Sequence, residues 1–229
     1  MKHLRGVGFL LFAFTCAACA PIDEDVEDMG ETTSAATSWD CYAPQPGHPT
    51  PAEKEAFLKK AGLSALKAER TYGVPASAIL AMAAIEGGFG YTRTALYANN
   101  SFGYKFVSAG SAGGRGKYTL TCQPAWDVGN DYIVFRSLED GILFVAYKLA
   151  VRADWANYKA ATDRYRAARL ADPDADPTAA VNAWIDGIAD EGYNYDPPVY
   201  KRTIKSAITT HALYRFSASA IPGTSTTPP

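Results

Sequence analysis

Glu86 is the ionisable residue whose position in this sequence best suits acid catalysis. It ends an almost unbroken apolar run, VPASAILAMAAIE, at residues 74–86. Burial of a carboxyl group disfavours its charged form, and the negative end of a helix dipole acts in the same direction. Because both effects raise the pKa, we expect Glu86 to keep its proton near neutral pH and to act as a general acid.

The residues after Glu86 leave space for a bulky substrate. Three of the next four are glycines, and nearby aromatic residues have flat apolar faces on which sugar rings stack: Phe89, Tyr91 and Phe102. We therefore expect a cleft with a protonated carboxyl group at its mouth. In the alternative interpretation, Glu86 is a helix-end residue that pairs with Arg93 or a backbone amide, and the aromatic residues belong to the core.

Helices are expected to position this carboxyl group. Apolar residues occur around the whole circumference of residues 74–86, which predicts a buried central helix. A capping box of Thr50 and Glu53 predicts the start of a preceding helix. That helix is expected to end at Gly73, with Gly62 as a potential interruption.

The segment after the glycines predicts a small β-lobe. Two β-type runs, residues 117–122 and 131–136, are joined by turn-forming residues. Helical patterns return at Ser137 and recur at about residues 158–170, 177–189 and 198–214. The predicted fold class is mainly α (α+β): one helical domain, residues 39–216, with the β-lobe inserted between its second and third helices.

Both ends of the chain are predicted to lie outside this domain. Residues 1–19 combine basic residues, an apolar stretch and small residues, which is typical of a secretory signal. The small residues before Cys19 resemble a lipobox, which predicts lipidation of Cys19 and a membrane-anchored lipoprotein facing the periplasm or cell surface. A freely secreted protein is the alternative. Residues 20–38 are predicted to be an acidic tether and residues 217–229 a disordered tail.

Charge and cysteine content limit the function classes. The net charge of -2 offers no basic excess for binding nucleic acid. In an exported protein, Cys41 and Cys122 are expected to form a disulfide, with two free buried thiols as the alternative. Beyond the signal the chain has only His48 and His211, and no CxxC or HExxH spacing. We therefore expect no metal site and no cofactor.

Four motifs together resemble one known family. EGGFG at 86–90, NNSFGYK at 99–105, FRSLEDG at 135–141 and GYNYDPPVY at 192–200 resemble the glucosaminidase domain of bacterial cell-wall hydrolases, glycoside hydrolase family 73. This resemblance implies a lysozyme-like α+β fold and hydrolysis of a β-1,4 N-acetylglucosaminyl bond in peptidoglycan. It places Glu86 on the family's catalytic acid, which protonates the leaving glycosidic oxygen.

The resemblance also implies further site residues. Tyr193 falls on a tyrosine that the family uses near the anomeric centre, and Tyr200 is the alternative because one extra residue shifts the alignment. The motifs assign substrate binding to five residues: Phe89, Asn100, Phe102, Tyr104 and Tyr200. The expected partner is a peptidoglycan strand, with contact to a membrane only through the lipid anchor, and the protein is expected to be a monomer.

One departure from the family concerns its second carboxylate, which usually comes from the β-lobe. The sequence has no Glu between Glu86 and Glu139, and Gln123 stands near the expected place. Asp127 is the candidate for activating water on the opposite face of the sugar. The alternatives are that Asp127 is an exposed turn residue, and that the enzyme is slow or uses the acetamido group of its own substrate.

Three other functions stay open at this point. The missing Glu favours a glycan-binding lipoprotein that has kept the cleft and lost the chemistry. An N-acetylmuramoyl amidase would release the stem peptide, but an amidase of the usual sort needs a zinc site, and the scarcity of histidines argues against one. A structural envelope lipoprotein is the third alternative.

Overall fold

A computed structural model of the protein describes residues 39–151 and 157–229. The predicted signal, lipidation site and tether lie outside the described residues. Within the described ranges, helices surround one hydrophobic core and two short strands form a small sheet. The elements in chain order are α1 (Pro51–Tyr72), α2 (Ala76–Glu86), a 3₁₀ turn (Gly88–Gly90), α3 (Arg93–Ala98), β1 (Lys117–Thr119), β2 (Asp131–Ile133), α4 (Leu138–Val151), α5 (Tyr158–Ala171), α6 (Thr178–Asp190), α7 (Pro197–Thr210) and α8 (Tyr214–Ala218).

α1 begins with the predicted capping box. The Thr50 hydroxyl accepts a hydrogen bond from the Glu53 backbone N–H, and the Glu53 carboxylate accepts one from the Thr50 N–H at 2.7 Å. The helix ends at Gly73, which has a φ of 72°. It continues through Gly62, where a Cβ atom would lie 2.6 Å from the Phe216 ring. The prediction of a potential interruption at Gly62 is therefore wrong. This glycine allows close packing against Phe216 and does not break the helix.

α2 is the predicted central helix. Every residue from 76 to 84 is buried, and α2 packs against α1, α7 and α8. Its first turn is held by Glu69 of α1, whose carboxylate accepts a hydrogen bond from the Ala76 N–H at 2.8 Å. Because it is surrounded by other helices, α2 forms a rigid support for its last residue, Glu86.

The β-lobe is smaller than the sequence predicts. β1 pairs antiparallel with β2, with Lys117 opposite Ile133 and Thr119 opposite Asp131. One isolated bridge, between Lys105 and Tyr132, adds the beginning of a third strand. Beyond β1 the chain turns, and the next residues lead to a disulfide instead of continuing the ladder.

The C-terminal segment differs from the prediction in two respects. The last predicted helix, residues 198–214, ends as α7 at Thr210, and α8 begins at Tyr214 after a turn in which Ala212 has a φ of 50°. The tail is also placed against the domain, since the Gly223 N–H donates to the Glu69 carbonyl and the Ser225 N–H donates to the Thr71 carbonyl. These carbonyls lie in the last turn of α1, where the Glu69 carbonyl also accepts a hydrogen bond from the N–H of the cap residue Gly73. The tail thus caps α1, whereas composition alone suggested disorder.

The predicted disulfide is present between Cys41 and Cys122, whose Cα atoms are 5.5 Å apart. It joins the segment before α1 to the turn that follows β1. The two cysteines are 81 residues apart in the sequence, so the bond closes a long loop in the unfolded chain.

Replacing both cysteines, Cys41→Ser with Cys122→Ser, is expected to lower the free energy of unfolding by roughly 4 kcal/mol, because the unfolded chain regains the entropy of a long open loop. Urea unfolding followed by circular dichroism measures this change. A reductant should shift the wild-type midpoint to that of the variant and leave the variant unaffected. Equal midpoints for wild type and variant would show that the bond does not constrain the unfolded state.

Candidate active site

Glu86, the last residue of α2, lies partly buried at the edge of a cleft. Its Oε1 accepts a hydrogen bond from the Tyr200 hydroxyl at 3.2 Å. Its Oε2 is buried and has no hydrogen-bond partner among the described residues. In the alternative interpretation of the sequence, Glu86 pairs with Arg93. Arg93 instead donates to the Trp39 backbone oxygen at 2.9 Å. The carboxyl group is therefore not neutralised by an ion pair with Arg93.

The environment of Glu86 favours its protonated form. Burial raises the pKa of Glu86 to about 8, although the hydrogen bond from Tyr200 acts in the opposite direction. A carboxyl group with this pKa carries its proton at neutral pH and can donate it to a substrate oxygen.

Close packing brings the next segment of the chain up to this helix end. A Cβ atom at Gly87 would lie 2.6 Å from the Ser101 Cβ, so the approach of these two segments requires glycine at position 87. The three glycines at 87, 88 and 90 are absent from the cleft lining, and a Cβ atom at Gly88 or Gly90 would meet Pro44 or Phe57, so they serve packing.

The cleft beside Glu86 has a volume of about 380 Å³, which is within the usual range for ligand sites. One wall comes from the end of α2 and the start of α3, and another from the loop before α7 and from α7 itself. The β-lobe and the segment before α1 complete the lining. The lining includes Cys41, Tyr42, Arg93, Phe102, Lys105, Asp196 and Tyr200.

Two predicted tyrosines lie near the acid, but in different roles. Tyr200 lines the cleft and donates to Glu86. Tyr193 belongs to the hydrophobic core, where its ring centroid is 5.5 Å from that of Tyr200 and 6.0 Å from that of Tyr158. The residue kept as the alternative in the sequence alignment is therefore the one in direct contact with Glu86, and Tyr193 supports it from the core.

The other predicted binding residues of the motifs EGGFG and NNSFGYK lie partly in the cleft and partly in the surrounding packing. Phe102 lines the cleft. Asn100 is fully buried, and its side chain makes hydrogen bonds to the backbone of Tyr104 and Ile133, so it holds the loop rather than a ligand. The Tyr104 ring packs edge-on against Phe144.

Phe89 has a scaffold role as well. Its ring packs edge-on against Phe57 of α1, with centroids 5.9 Å apart, and against His211 after α7, with centroids 5.4 Å apart. These neighbours are outside the cleft lining. The assignment of Phe89 and Asn100 to substrate binding is therefore at odds with this packing.

Comparisons with known proteins identify the family. The sequence profile of the family Glucosaminidase, described as mannosyl-glycoprotein endo-beta-N-acetylglucosaminidase, matches residues 62–213. The chain belongs to this glucosaminidase family. Its fold is similar to that of the catalytic domain of the autolysin Auto from Listeria monocytogenes, with a TM-score of 0.53 and 18% sequence identity over 74% of this chain and 90% of that one. No match was found among curated proteins.

The resemblance inferred from the motifs and the predicted fold class are confirmed by these matches and by the predominance of helices. The family profile begins at residue 62. It therefore leaves out the segment before α1, which lines part of the cleft.

Asp127, the candidate second carboxylate of this glucosaminidase domain, is buried in an ion pair. Lys105 Nζ donates to its two oxygens at 3.0 and 3.1 Å, and the Tyr42 hydroxyl donates to Oδ2 at 2.9 Å. It is therefore not an exposed turn residue. Because the Lys105 ammonium and the Tyr42 hydroxyl occupy its oxygens, Asp127 is poorly placed to take a proton from a water molecule.

Two charged residues of the cleft were missed by sequence reasoning. Lys105 lines the cleft beside its partner Asp127. Asp196 also lines the cleft, and its carboxylate accepts a hydrogen bond from the Val199 N–H at 3.1 Å as the N-cap of α7. An Asp directly before two prolines is a helix-start signal that could have located Asp196. Lys105 is the last residue of the motif NNSFGYK, but no local signal shows its pairing with Asp127, which depends on contact with the β-lobe.

No three His, Cys, Asp or Glu side chains are grouped to hold a metal ion within residues 39–151 and 157–229.

Proposed function

We propose that this glucosaminidase domain is a glycoside hydrolase that cleaves β-1,4 N-acetylglucosaminyl bonds of peptidoglycan. The observation that carries the proposal is the carboxyl group of Glu86. It stands at the edge of a cleft, it has one oxygen without a partner among the described residues, and its pKa is raised to about 8. The family match and the similarity to an autolysin catalytic domain support peptidoglycan as the glycan.

In this mechanism Glu86 donates its proton to the glycosidic oxygen as the bond from that oxygen to the anomeric carbon breaks. Tyr200 holds the carboxyl group through its hydrogen bond to Oε1. The acetamido oxygen of the substrate then bonds to the anomeric carbon, forming a cyclic intermediate. Water opens this intermediate and returns its proton to Glu86. We assign the attack on the anomeric carbon to the acetamido group of the substrate, and not to a second carboxylate, because Asp127 is paired with Lys105.

The test is digestion of purified peptidoglycan, with mass spectrometry of the products. The proposal expects fragments that end in a new reducing N-acetylglucosamine. A freed stem peptide would instead indicate an amidase. Sedimentation with intact cell walls and no new reducing ends would indicate a glycan-binding protein, a function that the ion pair of Asp127 favours as the second candidate.

The rate is expected to fall as the pH rises through about 8, where Glu86 loses its proton. The profile of kcat/KM against pH measures this limb, because it reports the free enzyme's acid. Since the hydrogen bond from Tyr200 lowers the pKa of Glu86, the Tyr200→Phe variant should move the limb to higher pH. A limb centred near 4.5, the ordinary pKa of a glutamate, would contradict the assignment.

We further propose that the domain acts as a monomer outside the cytoplasm and is anchored through a lipid on Cys19. The sequence around Cys19 and the acidic segment at residues 20–38 support the lipid anchor. Labelling cells with a palmitate analogue tests it, since the label should be lost in a Cys19→Ser variant.

A further inference from the structure

A five-residue segment before α1, residues 39–43, forms part of the cleft wall and is here called the N-terminal strap. Two of its residues, Cys41 and Tyr42, line the cleft that contains Glu86. The strap precedes residue 62, where the match to the family begins. The matched residues 62–213 therefore do not include this wall of the cleft.

The strap is attached to both sides of the cleft. On the β-lobe side, Cys41 is bonded to Cys122, and the Tyr42 hydroxyl donates to Asp127 at 2.9 Å. On the α3 side, the Arg93 guanidinium lies 3.8 Å from the centroid of the Trp39 ring. Arg93 also donates to the Trp39 backbone oxygen at 2.9 Å.

These attachments hold a short segment that has no regular secondary structure. A disulfide, a cation–π contact and a hydrogen bond to a buried carboxylate each restrict its motion. A wall restricted in this way binds a ligand with little further loss of conformational entropy.

Tyr42 is the side chain of the strap best suited to contact a sugar. Its hydroxyl is bonded to Asp127, which fixes the direction of the ring, and the residue is only partly buried at the cleft. Tyrosine supplies a large, rigid contact area at low entropic cost because it has only two rotatable side-chain bonds. Phe102, another aromatic residue of the lining, comes from the loop after α3 and is almost completely buried.

We propose that the N-terminal strap is a glycan-binding element and that Tyr42 contacts a sugar ring of the bound strand. The inference rests on the proposed function. Tyr42 contributes to binding. The chemical step belongs to Glu86.

The test measures binding in a Glu86→Gln background, where no turnover consumes the ligand. The probe is a tetrasaccharide of alternating N-acetylglucosamine and N-acetylmuramic acid, titrated by calorimetry. Adding Tyr42→Ala should weaken binding about tenfold, because an aromatic contact is lost. Adding Tyr42→Phe should weaken binding less than Tyr42→Ala does, because the ring is kept and only the hydrogen bond to Asp127 that orients it is lost.

Tyr97→Ala is the matched control. Tyr97 is an exposed tyrosine of α3, with its ring 5.9 Å from that of Tyr118, and it lies outside the cleft lining. Its loss should leave the affinity unchanged. Thermal unfolding of each variant shows whether it is folded, and a folded Tyr42→Ala variant that binds like its parent overturns the inference.

The outcomes separate this inference from the proposed function. If the wild-type enzyme releases reducing ends and Tyr42→Ala does not alter binding, only the strap inference fails. If the wild type releases none and Tyr42→Ala still weakens binding, the proposed function fails and the strap inference stands. If the tetrasaccharide does not bind to the parent at all, the strap inference fails, and release of reducing ends by the wild type still decides the proposed function.

Discussion

Glu86→Gln is expected to lower kcat by about 10²- to 10⁴-fold, the range typical of a lost general acid. The amide has nearly the same shape as the carboxyl group, and its oxygen can still accept the hydrogen bond from Tyr200. It cannot give up a proton to the glycosidic oxygen. Release of reducing ends from purified peptidoglycan measures the loss, and KM should change little because the cleft keeps its shape.

The same variant should remain fully folded. Because burial raises the pKa of Glu86 to about 8, the folded state binds this proton more tightly than the unfolded chain does. As the pH rises from 4.5, the ordinary pKa, to about 8, Glu86 ionises in the unfolded chain but not in the folded one, and the free energy of unfolding falls. Glutamine does not ionise and removes this loss of stability. At pH 8 we expect the variant to be at least as stable as the wild type.

Glu139→Gln is the control for this experiment. Glu139 lies on α4, its side chain is 47% exposed, and it pairs with Lys67 at the surface. Its replacement should leave the rate unchanged. A Glu86→Gln variant with a rate as high as this control would show that another group supplies the proton.

Asp140→Ala is expected to lower the free energy of unfolding by about 3–5 kcal/mol, because it leaves a buried arginine without its counter-ion. Asp140, at the start of α4, accepts hydrogen bonds from Arg115 at 2.7 and 2.9 Å and from the Arg136 N–H at 3.1 Å. The side chains of Arg115 and Asp140 are only 7% and 6% exposed. Urea unfolding of wild type and variant at pH 7 measures the difference.

Arg136→Ala provides the matched control on the same carboxylate. Its side chain is 72% exposed, so its loss should cost less than about 1 kcal/mol. A similar loss of free energy of unfolding in both variants would show that the burial of the Arg115–Asp140 pair does not determine its contribution to stability.

Asp140 should also contribute to the acid sensitivity of the fold. Burial alone would raise the pKa of Asp140, but hydrogen bonds from Arg115 and Arg136 outweigh it and hold the pKa below its ordinary value of 3.8. The contribution of Asp140 to the free energy of unfolding is complete above pH 3.8. It is lost as the pH falls toward the lower pKa that Asp140 has in the folded state. The difference in the free energy of unfolding between wild type and Asp140→Ala should therefore become smaller in strongly acidic solution.

The sequence alone was sufficient for the features that depend on near neighbours. The capping box of α1 involves residues three positions apart, and the apolar run of α2 identifies both a buried helix and the acid at its end. The disulfide was predictable because Cys41 and Cys122 are the two cysteines beyond the predicted signal. The motif spacing was enough to identify the family.

Only the tertiary structure decided which groups surround the acid. Tyr193 and Tyr200 were both candidates in the sequence, and the fold brings Tyr200 to Glu86 across 114 residues of chain. Likewise, Asp127 looked like a free carboxylate or a turn residue until Lys105 and the distant Tyr42 were found bonded to it.

The physical reason lies in the range of the interactions. Helix caps, apolar periodicity and the end of a helix dipole are set by residues within a few positions of each other, so the sequence displays them directly. The hydrogen-bond and charge partners of a buried group come from whichever segments pack beside it. In this protein, those segments meet only when α7, the β-lobe and the N-terminal strap close around the end of α2.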